Sequence, residues 1–207
     1  MKRKSKSRRL DPAARKQEII VAAIDCIAEN AVHNTSFAQI AKAAGVQQPL
    51  VHYYFPSMDT LLMDCVMLVL EDLKAHMIKE IEKHAHQPLK ALFQFSVCSL
   101  DWLAANPKYQ PFWLYFYHLC ATSERFRAMN NEIRRTGRER IRFLILRVCE
   151  KSKITLKEPW DSDALAWSIQ TWITGFMTMA ASEQCDLRAL KKLAAAQMED
   201  IVALHFS

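Results

Sequence analysis

Apolar residues recur at intervals of three and four along most of the chain, which is the spacing of amphipathic helices. In the first such run Ile20, Ala23 and Ile27 share one face, and an Asp11-Pro12 pair typical of a helix start precedes them. No stretch alternates convincingly as a strand does, and the 207 residues include only three glycines for turns. The pattern therefore predicts an all-α fold of about nine helices.

The predicted helices each carry an apolar stripe, and proline, glycine or capping residues separate them. They span about residues 12–30, 36–44, 47–55, 57–83, 88–105, 108–122, 124–151, 162–182 and 187–206. Residues 164–182 form the longest stretch without a charged side chain, but its serines and threonines make it too polar for a lipid span. We therefore expect no membrane segment.

Two short helices joined by a tight turn are predicted within residues 36–55. Ser36 and Gln39 have the spacing of a capping box, and Gly45 supplies the left-handed break after the first of these helices. Pro49 falls in the first turn of the second, where proline is tolerated. This is the helix-turn-helix arrangement that places a helix in the major groove of DNA.

The residue types of this segment divide into an inner and an outer face. The predicted inner face locks the two helices together and consists of Ile40, Ala41, Val46, Val51 and Phe55. The predicted outer face, which would meet solvent or DNA, consists of Gln47, Gln48, Leu50, His52, Tyr53 and Tyr54. A short helix rarely shows so many aromatic and apolar groups to water without a partner, so the outer face favours a binding surface.

The charge of the chain is concentrated near its start. Six of the first nine residues are basic, and residues 1–60 hold nine Lys or Arg against five Asp or Glu, out of a net charge of +6. A cationic arm suits a polyanion such as DNA phosphate, although a solvated tail is an equally good interpretation from charge alone.

Motifs typical of enzymes are missing from the sequence. No glycine-rich phosphate loop can be written with glycines at 45, 137 and 175, and the sequence contains no ExxH, HExxH, GxSxG or CxxC. The six cysteines are widely spaced, which favours buried thiols over metal ligands or a disulfide framework. We predict no catalytic residue, no metal and no cofactor, and a cytoplasmic protein, because the basic start lacks an apolar signal region.

With these residues in view, the sequence resembles the tetracycline-repressor (TetR) family of bacterial regulators. The resemblance covers about residues 15–62, with Ile40-Ala41, Ala44-Gly45-Val46 and the run Val51-His52-Tyr53-Tyr54-Phe55 in matching order. It implies a DNA-binding domain at 1–60, with the helix-turn-helix at 36–55, and an effector-binding and dimerisation domain at 61–207. The implied function is that of a repressor, which binds an inverted repeat of double-stranded DNA as a homodimer and is released by a small molecule.

The resemblance also implies which residues touch DNA. Thr35 and Ser36 would reach phosphate, Gln47 and Gln48 would read bases, Leu50 could meet a thymine methyl group, and His52 and Tyr53 would contact the backbone. Tyr54 is a contact in this pattern but could equally belong to the core. The full predicted set is Thr35, Ser36, Gln47, Gln48, Pro49, Leu50, His52, Tyr53 and Tyr54.

Three positions depart from the family pattern. Ala31 stands where a glycine usually closes the first helix, so we expect Asn30 to take the left-handed turn instead. Met58 replaces a lysine that usually touches phosphate, which should weaken backbone contact slightly. Pro49 stands where glycine is common.

The uncharged helix at 164–182 has a face of small residues beside its apolar face. The small residues are Ser168, Thr171, Gly175, Thr178 and Ser182. Small side chains allow close helix approach, so this face and the helix at 187–206 are predicted to form a four-helix dimer seam with a second copy. The alternative is that both faces pack within one chain.

Aromatic residues are dense in the middle of the chain, where the family holds its effector. Candidate cavity walls are Trp102, Trp113, Tyr117, His118 and Trp172, and such walls suit a flat apolar ligand or an organic cation. Plain core is the more frequent role of such a stripe. The second half also weakly resembles the choline-responsive repressors, without implying their ligand. The alternative function is an effector-independent or architectural DNA-binding protein.

Overall fold

The computed structural model describes residues 11–183 and 185–207, apart from the side chain of Pro111. The described residues form nine α-helices, as the hydrophobic pattern predicts, and most helix ends fall within one or two positions of the predicted ones. The helices are α1 (Pro12–Asn30), α2 (Phe37–Ala43), α3 (Gln48–Tyr54), α4 (Met58–Lys83), α5 (Pro88–Ala105), α6 (Tyr109–Thr122), α7 (Glu124–Ser152), α8 (Ser162–Ser182) and α9 (Leu187–His205). The basic arm, predicted at residues 2–9, lies outside the described residues.

The chain divides into two compact units, the first reaching Leu68 and the second beginning at Val69. The functional division at residue 60 stays a prediction. In the first unit α2 packs on both α1 and α3. Its fully or almost fully buried side chains include Ile19, Ala23, Ile24, Ile27, Ile40, Ala41, Val51, Phe55, Leu61, Leu62 and Cys65.

The junction after α1 differs from the prediction. Asn30 remains helical and its side-chain amide donates to the Cys26 carbonyl at 3.0 Å. Ala31 takes the positive dihedral instead, with φ 60° and ψ 159°, and a single 3₁₀ turn follows at Val32–Asn34. The expectation of a left-handed Asn30 is therefore wrong. Backbone in this region is almost confined to glycine, so Ala31 is strained by about 1–3 kcal/mol.

The second unit is built around the long pair α7 and α8, with α5 packed against both and against α9. Its core cluster is mostly aliphatic and includes Leu92, Phe95, Ile141, Leu144, Ile145, Val148, Leu165, Ile169 and Met198. Trp172 packs on the edge of this cluster, half-buried. The helical stripes read from the sequence are thus the surfaces that meet.

A glycine on α7 lies against a buried side chain of α8. A Cβ atom at Gly137 would lie 2.6 Å from the Gln170 amide nitrogen, which is too close for any real contact. Gln170 is buried, donates to the Arg134 carbonyl at 3.0 Å and accepts from the Arg138 guanidinium at 3.1 Å. Gly137 therefore makes room for a buried amide that joins the two helices.

The end of the chain returns to the loop between α7 and α8. Thr155 and Ser207 exchange backbone hydrogen bonds at 3.1 and 2.9 Å, which form an isolated antiparallel bridge between Leu156 and Phe206. Lys157 adds a bond from its ammonium to the Ala203 carbonyl at 2.9 Å. The sequence indicated no extended pairing, because two residues on each side are too few to show alternation.

Thiols behave as the cysteine spacing predicts. Cys26, Cys65, Cys98 and Cys120 are buried and unpaired by disulfides, and burial raises the pKa of Cys98 to about 12. Such thiols stay protonated and unreactive near neutral pH. None of the helices within residues 11–183 and 185–207 combines the length and apolarity needed to cross a bilayer.

We expect Ala31→Gly to stabilise the protein by about 1 kcal/mol. The substitution removes the strain at this positive φ, which outweighs the entropy of a freer unfolded chain. The midpoint of urea unfolding should rise. Ala75→Gly is the matched control, because Ala75 is exposed within α4 and its replacement should lower stability by about 0.5–1 kcal/mol. Equal losses in both variants would contradict the assignment of strain to Ala31.

Candidate nucleic-acid interface

A reciprocal capping box starts α2. The Ser36 hydroxyl oxygen accepts from the Gln39 backbone N–H at 3.4 Å, and the Gln39 side chain accepts from the Ser36 backbone N–H at 2.8 Å. Both side chains are exposed, so the helix start is presented to solvent with its remaining N–H groups. This end of α2 is suited to an anion such as phosphate.

The turn between α2 and α3 has the predicted geometry. Gly45 has φ +63°, the left-handed value that favours glycine, and its N–H donates to the Lys42 carbonyl at 3.2 Å. The Val46 N–H donates to the Ala41 carbonyl at 2.9 Å. These bonds close the end of α2 and turn the chain within the four residues 44–47, so that α3 packs on α2.

Burial orients α3. Val51 is 0% exposed and Phe55, at the C-cap, is 1% exposed, so one side of the helix is fixed inward. Burying side chains of this size contributes about 1.5–3 kcal/mol each. Pro49 occupies the first turn, where its missing N–H removes no helical bond.

The opposite side of α3 presents a continuous exposed surface, here called the reading face. It consists of Gln47, Gln48, Pro49, His52 and Tyr53. Tyr53 is 79% exposed, an unusual position for a large ring without a partner. The reading face therefore has the shape and donor-acceptor groups of a surface that meets another molecule.

Contacts within the first unit hold His52 in place. Its ring packs edge-on against Phe37 at 4.6 Å between centroids, and its Nε2 lies 3.3 Å from the Gln48 amide nitrogen. Phe37 belongs to α2, so the ring contact also ties the reading face to that helix. The Gln48 side chain is thereby pre-positioned rather than free.

Two of the predicted contact residues are only half-exposed. Leu50 is half-buried, as is Tyr54, whose ring lies 5.2 Å from Tyr53 and 6.5 Å from Phe55. Tyr54 thus bridges the reading face and the core, which accounts for the two interpretations that its sequence position left open.

Thr35 is the one predicted contact that lies inside the unit. Its side chain is 8% exposed, and its hydroxyl donates to the Ala31 carbonyl at 2.9 Å. Its backbone N–H donates to the Val32 carbonyl. Because both donors are used internally, Thr35 supports the turn before α2, and we leave it out of the proposed DNA surface.

The start of α4 has a second reciprocal cap. The Thr60 N–H donates to the Ser57 hydroxyl oxygen at 3.2 Å, and the Ser57 N–H donates to the Thr60 hydroxyl oxygen at 3.2 Å. Met58, where the family pattern has lysine, is half-buried. On α2, the exposed Lys42 supplies a cation that the sequence analysis did not single out.

In the second unit the structure brings together only part of the predicted effector site. Trp113 and Tyr117 meet edge-to-face at 5.7 Å, whereas His118 is exposed. The Trp102 indole N–H donates to Asp72 at 2.6 Å, and its ring stacks on Tyr109.

Trp172, the fifth predicted wall, donates to Gln197 at 3.0 Å. None of the five predicted residues lines the groove of about 650 Å³ at the start of α5, whose walls include His86, Lys90, Phe93, Lys151 and Glu199.

Two residues beside Tyr117, Arg134 and Thr174, were not predicted from the sequence. Arg134 donates to both the Tyr117 and the Thr174 hydroxyls and so completes a polar cluster with Trp113. A signal did exist: Arg134 and Arg138 extend the buried stripe of Ile141, Ile145 and Val148 at the same helical spacing. Arginines on a highly charged helix are easily taken for solvated ones.

The predicted seam residues lie on the outer side of α8. Thr171, Gly175 and Ser182 are exposed, and Ser168 and Thr178 are half-buried. A Cβ at Gly175 would meet nothing within 4 Å.

Comparison with known proteins finds a family match within the first unit. Residues 19–65 match the family model described as bacterial regulatory proteins, tetR family. The HTH-type transcriptional regulator BetI of Agrobacterium fabrum is 28% identical over 115 residues, which make up 56% of this chain. The match spans about half of that relative, 55% of its length.

Solved structures extend the likeness to the whole fold. A TetR transcription regulator from Haloarcula marismortui aligns with a TM-score of 0.81 at 18% identity, over 94% of this chain and 100% of that one. A transcriptional regulator from Saccharomonospora viridis, solved in complex with choline, aligns with a TM-score of 0.69 at 16% identity, over 94% and 99% of the two chains. At such identities the likeness is one of fold.

We expect Ser36→Ala to destabilise the first unit by about 1 kcal/mol, because it removes the acceptor for an N–H at the start of α2. Circular dichroism during urea unfolding would measure the loss. Ser36→Asp keeps a capping oxygen and should stay within about 0.5 kcal/mol of the parent. An aspartate variant as unstable as the alanine variant would show that the cap contributes little.

Proposed function

We propose that this chain, whose residues 19–65 match the tetR family of bacterial regulatory proteins, represses transcription as a dimer on an inverted DNA repeat and is released by a small molecule. The observation that carries the proposal is the reading face. Its five side chains are held outward by the burial of Val51 and Phe55, at the place where a helix-turn-helix meets the major groove.

Base reading is assigned to the start of α3. The Gln47 and Gln48 side chains are exposed there, and a glutamine amide can donate to and accept from adenine at the same time. His52 contacts the Gln48 side chain and restricts its motion, which lowers the entropy lost on binding. Pro49 and Leu50 supply apolar surface for thymine methyl groups.

Phosphate contacts surround these residues. Ser36 at the exposed start of α2, Tyr53 on the reading face and the Lys42 ammonium are all open to solvent. Contacts of this type position a protein on the duplex without reading sequence. The basic residues of the arm add further charge, in keeping with the net charge of the chain.

Dimerisation is assigned to α8 and α9. On α8 the hydroxyls of Thr178 and Ser182 each donate to the carbonyl four residues earlier, so neither needs a partner across an interface. This leaves methyl groups and Gly175 to pack closely against another helix. The exposed residues of α9 include the apolar Ala189, Leu193 and Ala196.

A dimer gives the mechanism its geometry. Two reading helices about 34 Å apart would meet successive major grooves on one side of the duplex. A small molecule in the helices of the second unit would favour a conformer in which this spacing no longer fits the operator. Repression and release are then two outcomes of one equilibrium.

Selection from random DNA tests the proposal against an architectural role. A repressor should enrich one inverted repeat, and its complex with that repeat should survive random competitor in a mobility-shift assay. An architectural protein should enrich no motif and lose its complex to competitor. That second result would overturn the proposal.

Gln48→Ala should reduce the preference for the selected repeat over random DNA by about tenfold or more, because each good bidentate base contact contributes about 1–3 kcal/mol. Mobility shifts at fixed salt would measure the ratio. Gln17→Ala makes the same change at an exposed position of α1 and should leave the ratio unchanged. An unchanged ratio in Gln48→Ala would remove this residue from base reading.

Thr171→Glu should dissociate the dimer, because the two-fold axis of a symmetric seam would bring two carboxylates together in a desolvated contact. Sedimentation velocity would show a monomer. Thr136→Glu places the same charge on the exposed side of α7, outside the seam, and should remain dimeric. A parent protein that sediments as a monomer, or a dimeric Thr171→Glu, would reject the seam.

A further inference from the structure

Arg134 is a cation inside the helical unit without a carboxylate beside it. Arg134 is half-buried, and its guanidinium donates to the Tyr117 and Thr174 hydroxyls, both neutral groups. Within the described residues no Asp or Glu pairs with it. Its neighbour on α7 differs: Arg135 pairs with Glu132 and Glu139. A half-buried charge without a counter-ion is costly, which makes Arg134 a candidate for a ligand of opposite charge.

Trp113 brings an unused donor to the same place. The residue is 8% exposed, and its indole nitrogen has no hydrogen-bond partner within the described part of the chain. Its ring meets Tyr117 edge-to-face at 5.7 Å between centroids. Burial raises the pKa of Tyr117, whereas Arg134 and the nearby indole N–H lower it, so all three groups converge. Buried indole N–H groups normally find an acceptor.

The neighbouring acceptors are already occupied. The Thr174 hydroxyl accepts from Arg134 and donates to the Gln170 carbonyl at 2.8 Å. The Gln170 side chain is bonded to the Arg134 carbonyl and to Arg138. A guanidinium has five N–H groups, and two of those on Arg134 are used here. Donors therefore remain on Arg134, on the Tyr117 hydroxyl and on Trp113, and the cluster offers them no charged acceptor.

We propose that Arg134, Tyr117 and Trp113 form a binding site for an organic monocarboxylate. That this carboxylate is the effector rests on the proposed function. That the three residues bind a carboxylate rests on the cluster alone. A carboxylate has only acceptors, carries one negative charge and matches the fork of a guanidinium with two parallel hydrogen bonds. It can accept from donors on all three residues and neutralises Arg134 at once.

Other ligand charges fit the cluster less well. A quaternary ammonium, which aromatic walls alone would favour, meets the like charge of Arg134 at this site. Phosphate carries up to two negative charges and would leave one without a partner. The ring of Phe116, 6.4 Å from Trp113, adds apolar surface for the body of a carboxylic acid.

Titration calorimetry on the full chain without DNA tests the site. The probes are acetate, hexanoate, benzoate and phenylacetate, each compared with its primary amide, together with inorganic phosphate and choline. We expect at least one carboxylate to bind and its amide, which has the same shape but no charge, to bind at least about tenfold more weakly. Tryptophan fluorescence should change on binding, and this change should be reduced in Trp113→Phe.

Variants assign the binding to the cluster. Arg134→Met should weaken the carboxylate by at least about thirtyfold, and Arg134→Lys should restore only part of it, because lysine keeps the charge without the fork. Tyr117→Phe removes one hydroxyl and should cost about tenfold. Arg135→Met, at the exposed neighbouring position of α7, is the matched control and should bind as the parent does. Far-ultraviolet circular dichroism shows whether each variant is folded. If Arg134→Met does not fold, the affinity of Tyr117→Phe for the carboxylate tests the site.

The proposal is overturned if no carboxylate binds, if amides bind equally well, if phosphate or choline binds more tightly than every carboxylate, or if the Arg134 and Tyr117 variants both bind as the parent does. Because binding is measured without DNA, these outcomes leave the reading of DNA untouched. Conversely, the protein could bind a carboxylate at Arg134 and yet select no operator. The binding site would then stand, and only its role as the effector site would be rejected.

Discussion

Val51 and Phe55, buried beside Ile40 and Ala41 of α2, form the contact on which the reading face depends. Seven residues of α3 make only two helical turns and would not hold together alone. Tertiary packing therefore sets both the existence and the rotation of this helix. Once two apolar side chains point inward, the glutamines and Tyr53 have no place except the surface. Exposure of these groups is a consequence of burial elsewhere.

In the second unit two long helices, α7 and α8, carry polar groups where they pack together. Because Gly137 has no side chain, the Gln170 amide has room between α7 and α8. The hydrogen bonds of that amide are made within the pair, as buried amides require. Further along α7 the Arg134 guanidinium donates to two hydroxyls and lies 5.7 Å from the centre of the Tyr117 ring, with no carboxylate beside it in the described part of the chain. The Gln170 amide therefore serves helix packing, whereas the charge of Arg134 has no counter-ion in the described part of the chain.

Local rules predicted the helix ends well because caps act within a few residues. Ser36 with Gln39, and Ser57 with the hydroxyl of Thr60, close the starts of α2 and α4 through neighbours in sequence. The wrong prediction at the end of α1 also concerns neighbouring residues, but it has another cause. Asn30 stays in the helix, where its side chain bonds to a carbonyl one turn earlier, so the strained dihedral moves one residue onward, against the preference of alanine.

By itself the sequence determined the all-α class, the order of the helices and the two faces of α3, because periodicity and turn chemistry are local properties. Only the tertiary structure decided that Thr35 faces inward and that the chain end pairs with the loop at Leu156. It also brought Trp113, Tyr117 and Arg134 together from α6 and α7. Such contacts join positions distant in the chain, and no local pattern records which side chains will meet.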